Sequence, residues 1–288
     1  MDTSVTIIVP LYFGKKYMCR LQNIIAKNCL TLQDANMHVD CELLFVNDSP
    51  EEAIDDAVLQ GTTYAKNFSV RVVNPGSNQG IHGARVFGLK NASGEYVVFL
   101  DQDDIISDDY VLTQLSFIGT SDAVLGNAFS ESCFGRRKNV LYSSVEMQQN
   151  AVKLQALIDD GNHITSPGQV LIKKRSIPPV WCENVMKKNG ADDYFLWLVM
   201  LAGGRTFALN PKCVYTHVLT GSNVSSDAIA MCVSVNEMIA ILKEKKIFPE
   251  NELNKLVAKH ANTPIVKIAE MAKIFEAWLL KTARGGAT

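Results

Sequence analysis

The stretch GEYVVFLDQDD, residues 94–104, decides how the rest of the chain is interpreted. Its apolar residues, mostly β-branched or aromatic, are typical of a buried strand. Three carboxylates follow within four positions, at Asp101, Asp103 and Asp104. Carboxylates this close repel one another unless a cation lies among them or some stay protonated, and hard oxygen ligands favour Mg²⁺ or Mn²⁺. The stretch therefore predicts a divalent-metal site at the C-terminal end of a sheet strand, where open α/β sheets bind ligands.

Length and composition indicate a globular protein. The chain has 288 residues, of which 47% are hydrophobic, enough for one large α/β domain or two smaller ones. A net charge of −2 without a long basic cluster argues against a nucleic-acid partner. The seven cysteines are scattered without a Cys-x-x-Cys pair, and neither a signal peptide nor a membrane-length apolar run is visible. We therefore expect a cytoplasmic protein with reduced thiols.

Strand and helix patterns alternate before and around the opening stretch. Strands are expected at residues 4–10, 42–49, 69–74 and 94–100, and helices at 16–32, 51–60 and 81–91. This alternation predicts a doubly wound, mostly parallel sheet flanked by helices. Motifs for dinucleotide and P-loop sites are absent from the sequence, so a nucleotide pocket would be of another kind.

The pattern changes after about residue 107. Strands are expected at 123–129, 168–173, 206–209 and 214–217, helices at 145–159 and 192–200, and a loop or hairpin at 131–139. Residues 227–283 have a helical pattern that is interrupted near Pro249 and Pro264. We therefore divide the chain at residues 1–107, 108–226 and 227–288.

Five motifs in order resemble the inverting nucleotide-sugar glycosyltransferases of family 2, which have the GT-A fold. They are IIVPLY at 7–12, LFVNDS at 44–49, NQGIHGAR at 78–85, the opening stretch, and DDYFLW at 192–197. The resemblance implies that residues 1–107 bind a nucleotide sugar, that 108–226 bind the acceptor and that 227–288 form a helical extension. It further implies hexosyl transfer from a nucleoside diphosphate sugar, expected to be UDP-linked, to a hydroxyl of a glycan, as in surface polysaccharide synthesis.

The resemblance also implies the residues of the donor side. Asp103 would ligate Mn²⁺ or Mg²⁺ on the diphosphate, and Asp101 would hold the ribose or reach the metal through water. Such a cation would stabilise the charge that develops on the leaving diphosphate. Pro10 and Tyr12 would lie beside the base and ribose, with a core position as the alternative for Tyr12. Asp48 would accept a hydrogen bond from the base.

Three further residues belong to this donor side. Gly80 suits a tight turn. Arg85, about one helical turn later, is expected to reach either a phosphate or the carboxylates around Asp101, and both roles are open. His217 resembles a late histidine of the family and would be a third metal ligand, with a satisfied polar residue as the equal alternative.

Asp192 and Asp193 stand where the family usually has a Glu-Asp pair. An inverting transfer needs one carboxylate that removes the proton of the acceptor hydroxyl. By family position Asp193 is the expected base, and Asp192 would position the acceptor. The alternative is that both carboxylates cap a helix N-terminus and complement its dipole.

Three other polar residues are expected to have structural roles. Asp104 is expected to cap the backbone of the turn that follows it. His82 is expected at the surface or at a helix start, and His163 has no motif around it.

The last segment, residues 264–282, carries an apolar stripe on one helical face. We expect it to pack on the domain or on a second subunit, giving a homodimer; the alternative is a membrane-surface helix at the inner face of the membrane that reaches a lipid-linked acceptor. Two other functions stay open. One is a sugar nucleotidyltransferase, for which residues 12–16 offer only a faint phosphate loop, and the other is a non-catalytic glycan-binding protein.

Overall fold

The computed structural model describes residues 3–54, 66–132, 138–220 and 227–261 of the chain. The strands are β1 (Thr3–Leu11), β2 (Val39–Asn47), β3 (Phe68–Val73), β4 (Tyr96–Phe99), β5 (Ile105–Ile106), β6 (Ala123–Ser132), β7 (Lys138–Val140), β8 (Val170–Lys173) and β9 (Phe207–Leu219). The helices are α1 (Met18–Asp34), α2 (Gly80–Asn91), α3 (Tyr110–Ile118), α4 (Val145–Asn150), α5 (Leu154–Asp160), α6 (Pro179–Glu183), α7 (Asp192–Ala202), α8 (Ala228–Glu244) and α9 (Glu250–Ala261).

These strands form one mixed sheet in the order β3-β2-β1-β4-β8-β6-β9-β5, with β7 added on β6. The longest pairings, β1 with β2 and β6 with β9, are parallel, and so are β1 with β4 and β2 with β3. Strand β8 runs antiparallel between β4 and β6. The predicted α/β class, a mostly parallel sheet flanked by helices, is confirmed.

Helices cover both faces of the sheet, and this explains the almost continuous apolar sequence of β1. Alternate side chains of a strand point to opposite faces. Accordingly Ile7 packs in one core with Leu21 of α1, while Ile8 packs in the other core with Leu89 of α2. The carboxyl ends of β1, β2 and β4 lie side by side, so the polar residues that follow them meet at one edge.

Several element boundaries differ from the predictions. The two strands expected at 206–209 and 214–217 are one strand, β9, whose register on β6 shifts next to Asn127. The single helix expected at 145–159 is divided into α4 and α5, because Lys153 has an extended backbone conformation (φ −99°, ψ 124°). In the described part of 131–139, β6 and β7 pair antiparallel, which agrees with the hairpin of the two predicted alternatives.

The described part of the tail is helical, as expected, with a break before α9 at Pro249. Leu242 of α8 and Leu256 of α9 are fully buried in the core that also contains α7. No helix in the described ranges is long and apolar enough to cross a membrane.

Other predictions fall outside these ranges or stay untested. Of the helix expected at 51–60, residues 51–54 have no helical structure and the rest lies outside the described residues, as do the run 221–225 and the helix at 264–282. The division of the chain at residues 107 and 226 stays a prediction.

Candidate active site

Asp101 lies just after β4 and has both carboxylate oxygens bonded within the protein. Its Oδ1 accepts a hydrogen bond from Arg85 Nη2 at 2.5 Å, and its Oδ2 accepts one from the Ser166 hydroxyl at 3.0 Å. Burial raises the pKa of Asp101, Arg85 counteracts this, and the neighbouring charge of Asp104 raises it again. The predicted contacts of Asp101 with ribose or metal stay predictions.

Arg85 joins the two carboxylate groups that the sequence places far apart. Its guanidinium is 5% exposed, and Nη1 donates to Asp192 Oδ2 at 2.6 Å while Nη2 donates to Asp101. Of the two predicted roles, the structure contains the ion pair with the carboxylates. The contact with a phosphate stays a prediction.

Asp192 and Asp193 are the first two residues of α7 but have different environments. Asp192 is 1% exposed and paired with Arg85. Asp193 is 8% exposed; its Oδ1 accepts from the Tyr194 N–H at 2.7 Å and its Oδ2 from Asn162 Nδ2 at 3.3 Å. Burial and the charge of Asp192 raise the pKa of Asp193 to about 7. A carboxylate with such a pKa suits a general base at neutral pH.

Asp103 lies in the turn after β4 and is partly exposed. Burial and the charges of Asp104 and Asp101 raise its pKa to about 6, so negative charge accumulates around it. Within the described ranges no three His, Cys, Asp or Glu side chains form a preassembled metal site. One carboxylate still fits a divalent ion, because Mg²⁺ is commonly held by one or two carboxylates together with substrate phosphates. Asp103 fits this role better than Asp101, whose oxygens are bonded to Arg85 and Ser166.

Asp104 does not cap the following turn, and that prediction is wrong. The side chain is fully buried and points to β9, where it accepts hydrogen bonds from the Tyr215 hydroxyl and, at 2.7 Å, from the Val218 N–H. The cause is the pairing of β5 with β9, which brings β9 against the turn after β4.

His217 also contacts Asp104, with its Nδ1 at 3.2 Å from Asp104 Oδ2. Burial would lower the pKa of His217, but the hydrogen bond and charge of Asp104 outweigh burial and raise it. One ring nitrogen is therefore engaged by Asp104. The role of His217 as a metal ligand stays a prediction that concerns the other ring nitrogen.

The residues predicted for the nucleotide lie at the ends of β1 and β2. Tyr12 is 57% exposed just past β1, so the alternative of a core position is wrong, whereas Pro10 is buried within the strand. Asp48 is 4% exposed; its Oδ1 accepts from the Gln79 N–H at 2.6 Å, and burial raises its pKa. Gly80 has a φ of +72°, which agrees with the predicted tight turn. Contacts of these residues with a nucleotide stay predictions.

Comparison with known proteins identifies the family. The family model described as Glycosyl transferase family 2 matches residues 6–180. The chain belongs to this family. The family 2 assignment expected from the sequence motifs is thereby confirmed.

Curated relatives of this family 2 chain match only part of its length. Glycosyltransferase GlyA of Streptococcus pneumoniae serotype 4 is 32% identical over 136 residues, which are 45% of this chain and 17% of that protein. An uncharacterized glycosyltransferase of Haemophilus influenzae is 32% identical over 115 residues, 40% of this chain and 42% of that protein. The matched region thus spans less than half of either relative.

Solved structures share the fold of this family 2 member. The structure of S. aureus TarS 1-349 in complex with UDP-GlcNAc has a TM-score of 0.60 and 19% identity, covering 91% of this chain and 72% of that chain. The same TarS fragment in complex with UDP has a TM-score of 0.60 and 18% identity. At this level of identity the likeness shows the fold alone.

Sequence reasoning missed several residues that hold the family 2 site together. Ser166 and Asn162 contact the two predicted carboxylate groups, and the only local signal was the capping sequence that begins at Ser166. Arg20 of α1 also escaped notice, although its Nη2 donates to the carbonyls of Gln102 at 2.8 Å and of Asp104 at 3.2 Å.

Of the two alternatives for His82, the helix start is confirmed, because the residue is in the first turn of α2, and the surface position is wrong. The side chain is fully buried; Nδ1 accepts from the Met186 N–H at 2.9 Å, and the ring packs on Trp181 at 4.5 Å between centroids. Because these partners lie about a hundred positions later in the chain, the sequence around His82 did not reveal them.

Proposed function

We propose that this protein is a metal-dependent inverting glycosyltransferase. It transfers a sugar from a nucleoside diphosphate sugar, UDP-linked, to a hydroxyl of a growing glycan. The observation that carries this proposal is the contrast between two adjacent carboxylates on α7. Arg85 neutralises Asp192, while the pKa of Asp193 is raised to about 7. A buried carboxyl group whose pKa is raised to about 7 suits a general base at neutral pH.

Asp193 is the general base in this proposal. Its ionised carboxylate accepts the proton of the acceptor hydroxyl while that oxygen attacks the anomeric carbon and the bond from this carbon to the diphosphate breaks. Attack from the face opposite the leaving group inverts the configuration in a single displacement. Asp192 stays paired with Arg85 and helps to position the acceptor.

The donor side is supported by residues at the carboxyl ends of β1, β2 and β4. Asp103 would hold Mn²⁺ or Mg²⁺; when bound, the cation neutralises charge on the departing diphosphate. The exposed ring of Tyr12 lies where it can stack on a base, and Asp48 lies beside it at the end of β2. The UDP-GlcNAc and UDP complexes of the TarS neighbour support a UDP-linked donor.

The remaining partners are proposed on the sequence alone. They are a glycan or lipid-linked glycan acceptor, a second copy of the chain in a homodimer, and peripheral contact with the inner face of a membrane by a cytoplasmic protein. The family match favours sugar transfer over nucleotidyl transfer.

Calorimetric titration tests the donor and the metal. UDP-, GDP- and dTDP-linked sugars are titrated with Mn²⁺ and again with a chelator. We expect a UDP-sugar to bind more tightly in the presence of Mn²⁺ than with the chelator. Asp103→Asn should abolish this increase in affinity. The exposed Asp34→Asn serves as the control carboxylate. If no sugar nucleotide binds with Mn²⁺ present, the proposal is refuted.

A transfer assay tests the base. Asp193→Asn is expected to lower kcat by about 10²–10⁴-fold, the usual contribution of general base catalysis, while calorimetry shows unchanged donor binding. A non-catalytic glycan-binding protein would show no transfer with the wild-type chain under any condition. Full activity of Asp193→Asn would disprove the role of Asp193.

A further inference from the structure

Residues 161–166 connect α5 to the turn before β8 and run between the two carboxylate groups of the site. Near one end, the side chain of Asn162 donates to Asp193 Oδ2 at 3.3 Å. At the other end, the hydroxyl of Ser166 donates to Asp101 Oδ2 at 3.0 Å. Between them Ile164 is 1% exposed in the core. The side chains of Asn162, Ile164 and Ser166 thus contact Asp193, the core and Asp101, respectively.

The backbone of this segment is held by buried partners. The His163 carbonyl accepts from the Tyr142 hydroxyl at 2.8 Å. The N–H groups of Thr165 and Ser166 both donate to Gln169 Oε1, at 3.0 and 3.3 Å, and Gln169 is fully buried. The segment therefore has little freedom to move one contact without the other.

We propose that residues 161–166 set the position of the base relative to the donor-side carboxylate, with Asn162 and Ser166 as positioning residues. This inference rests on the proposed function. Asn162 fixes the direction of the Asp193 carboxylate and favours its ionised form, because an N–H donor stabilises a carboxylate more than a carboxylic acid. Ser166 fixes Asp101 on the side opposite Arg85.

Steady-state kinetics separates the two ends of the segment. Asn162→Ala acts on the base, so we expect kcat to fall about tenfold while the donor KM stays unchanged. Ser166→Ala removes the hydrogen bond to Asp101 and the contact with the Tyr215 hydroxyl, both outside the Asp193 environment, so we expect the donor KM to rise by about 3- to 10-fold with little change in kcat. Thr165→Ala is the matched control, because its side chain is exposed and the backbone contact with Gln169 is retained. Equal effects of the two variants on kcat and KM would overturn the proposal.

A titration of the aspartate carboxyls by NMR tests Asn162 independently of activity. The signal of Asp193 is identified by its loss in Asp193→Asn. We expect Asn162→Ala to raise the titration midpoint of the Asp193 carboxyl by about half a pH unit. Asn162→Asp should raise this midpoint further, because the new carboxylate places a like charge beside Asp193. The other groups that act on Asp193, namely Asp192, Arg85 and Asp101, are unchanged in these variants.

The two measurements distinguish failure of this inference from failure of the proposed function. An Asp193 midpoint that is the same in wild type and Asn162→Ala overturns the positioning role, whatever the activity. If the wild-type chain transfers no sugar although the midpoint moves, the contact of Asn162 with the carboxylate is supported and the proposed function fails.

Discussion

At the residue scale, one buried cation determines how the site is arranged. Arg85 is 5% exposed and lies within 2.6 Å of carboxylate oxygens from two segments, one after β4 and one at the start of α7. Because Arg85 and Asp192 are both buried, removing the cation would leave a buried carboxylate without compensation. Asp101 and Asp192 therefore depend on Arg85 both for their position and for their charge.

We expect Arg85→Ala to lower the free energy of unfolding by about 3–5 kcal/mol, the usual loss when a buried ion pair is broken. Arg85→Lys should also be destabilising, because an ammonium group cannot form the same forked contacts. Urea unfolding measures both. The control is Lys27→Ala, whose ion pair with Asp108 is 61% and 58% exposed and should contribute at most about 1 kcal/mol. Equal losses for Arg85→Ala and Lys27→Ala would contradict this account.

The raised pKa of Asp193 predicts how transfer depends on pH. In the proposed mechanism only the ionised carboxylate can accept the proton of the acceptor hydroxyl, so kcat should rise with pH through a midpoint near the pKa of about 7. A pH profile of the wild-type chain measures this midpoint. A rate that is already constant between about pH 5 and about pH 8 would exclude Asp193 as the base.

The same carboxyl group also links stability to pH. Its pKa is raised from 3.8 to about 7. Between these two pH values the folded protein retains a proton that the unfolded chain has already released. The stabilisation associated with the proton is present at low pH and is lost as pH rises towards 7. Relative to wild type, Asp193→Asn should therefore become more stable between about pH 5 and about pH 8. Thermal unfolding at both pH values tests this, and a constant difference would contradict it.

At the element scale, α2 carries Arg85 and its height above the sheet is set by a glycine. A Cβ at Gly88 would clash with Ile8 Cγ2 and lie 2.9 Å from Val46 Cγ2, so the helix rests directly on β1 and β2. Arg85 is less than one turn away on the same helix. The close approach at Gly88 thus determines where the guanidinium lies.

Gly88→Ala should push α2 away from the sheet. We expect a loss of about 1–3 kcal/mol in the free energy of unfolding from overpacking, together with a lower transfer rate, because Arg85 moves with its helix. Chemical denaturation and a transfer assay measure the two effects. Lys90→Ala, an exposed position on α2, is the control and should change the unfolding free energy by less than about 0.5 kcal/mol.

Elements with local signals could be predicted from the sequence, whereas contacts between distant elements could not. Strands β1, β2 and β4 were predicted because buried parallel strands have continuous apolar runs. The side chain of Asp104 was assigned to the wrong partner because Tyr215 lies 111 positions later. Ser166 and Asn162 were missed for the same reason: their partners are 65 and 31 positions away. The motifs indicated which carboxylates matter, but not what holds them.

At the scale of the whole molecule, α8 and α9 contribute buried side chains to the core. Leu242 and Leu256 are fully buried in the same cluster as Trp197 of α7 and Phe99 of β4. The helix that begins with Asp192 and Asp193 is therefore covered by the tail. We therefore expect the stability of the tail and the position of Asp193 to change together.

Leu242→Ala should lower the free energy of unfolding by about 2–5 kcal/mol, as for other fully buried leucines. We expect one cooperative transition, because the tail and the sheet share a core. Circular dichroism and tryptophan fluorescence should report the same midpoint, whereas separate midpoints would show that the tail unfolds independently. The control is Ile229→Ala on the same helix, where the side chain is 65% exposed.

The two partners of Arg85 lie at different distances from it along the sequence and are therefore synthesised at different times. Asp101 follows Arg85 by 16 positions, whereas Asp192 follows it by 107. During synthesis Asp101 is therefore available to Arg85 before Asp192 is, and because domains generally fold as units, we expect both ion pairs to form only after α7 has been made. The family match ends at residue 180, before Asp192. A fragment cut at that boundary would keep the motifs of the donor side but lack the second counterion of Arg85, and we expect it to require a chaperone to stay soluble.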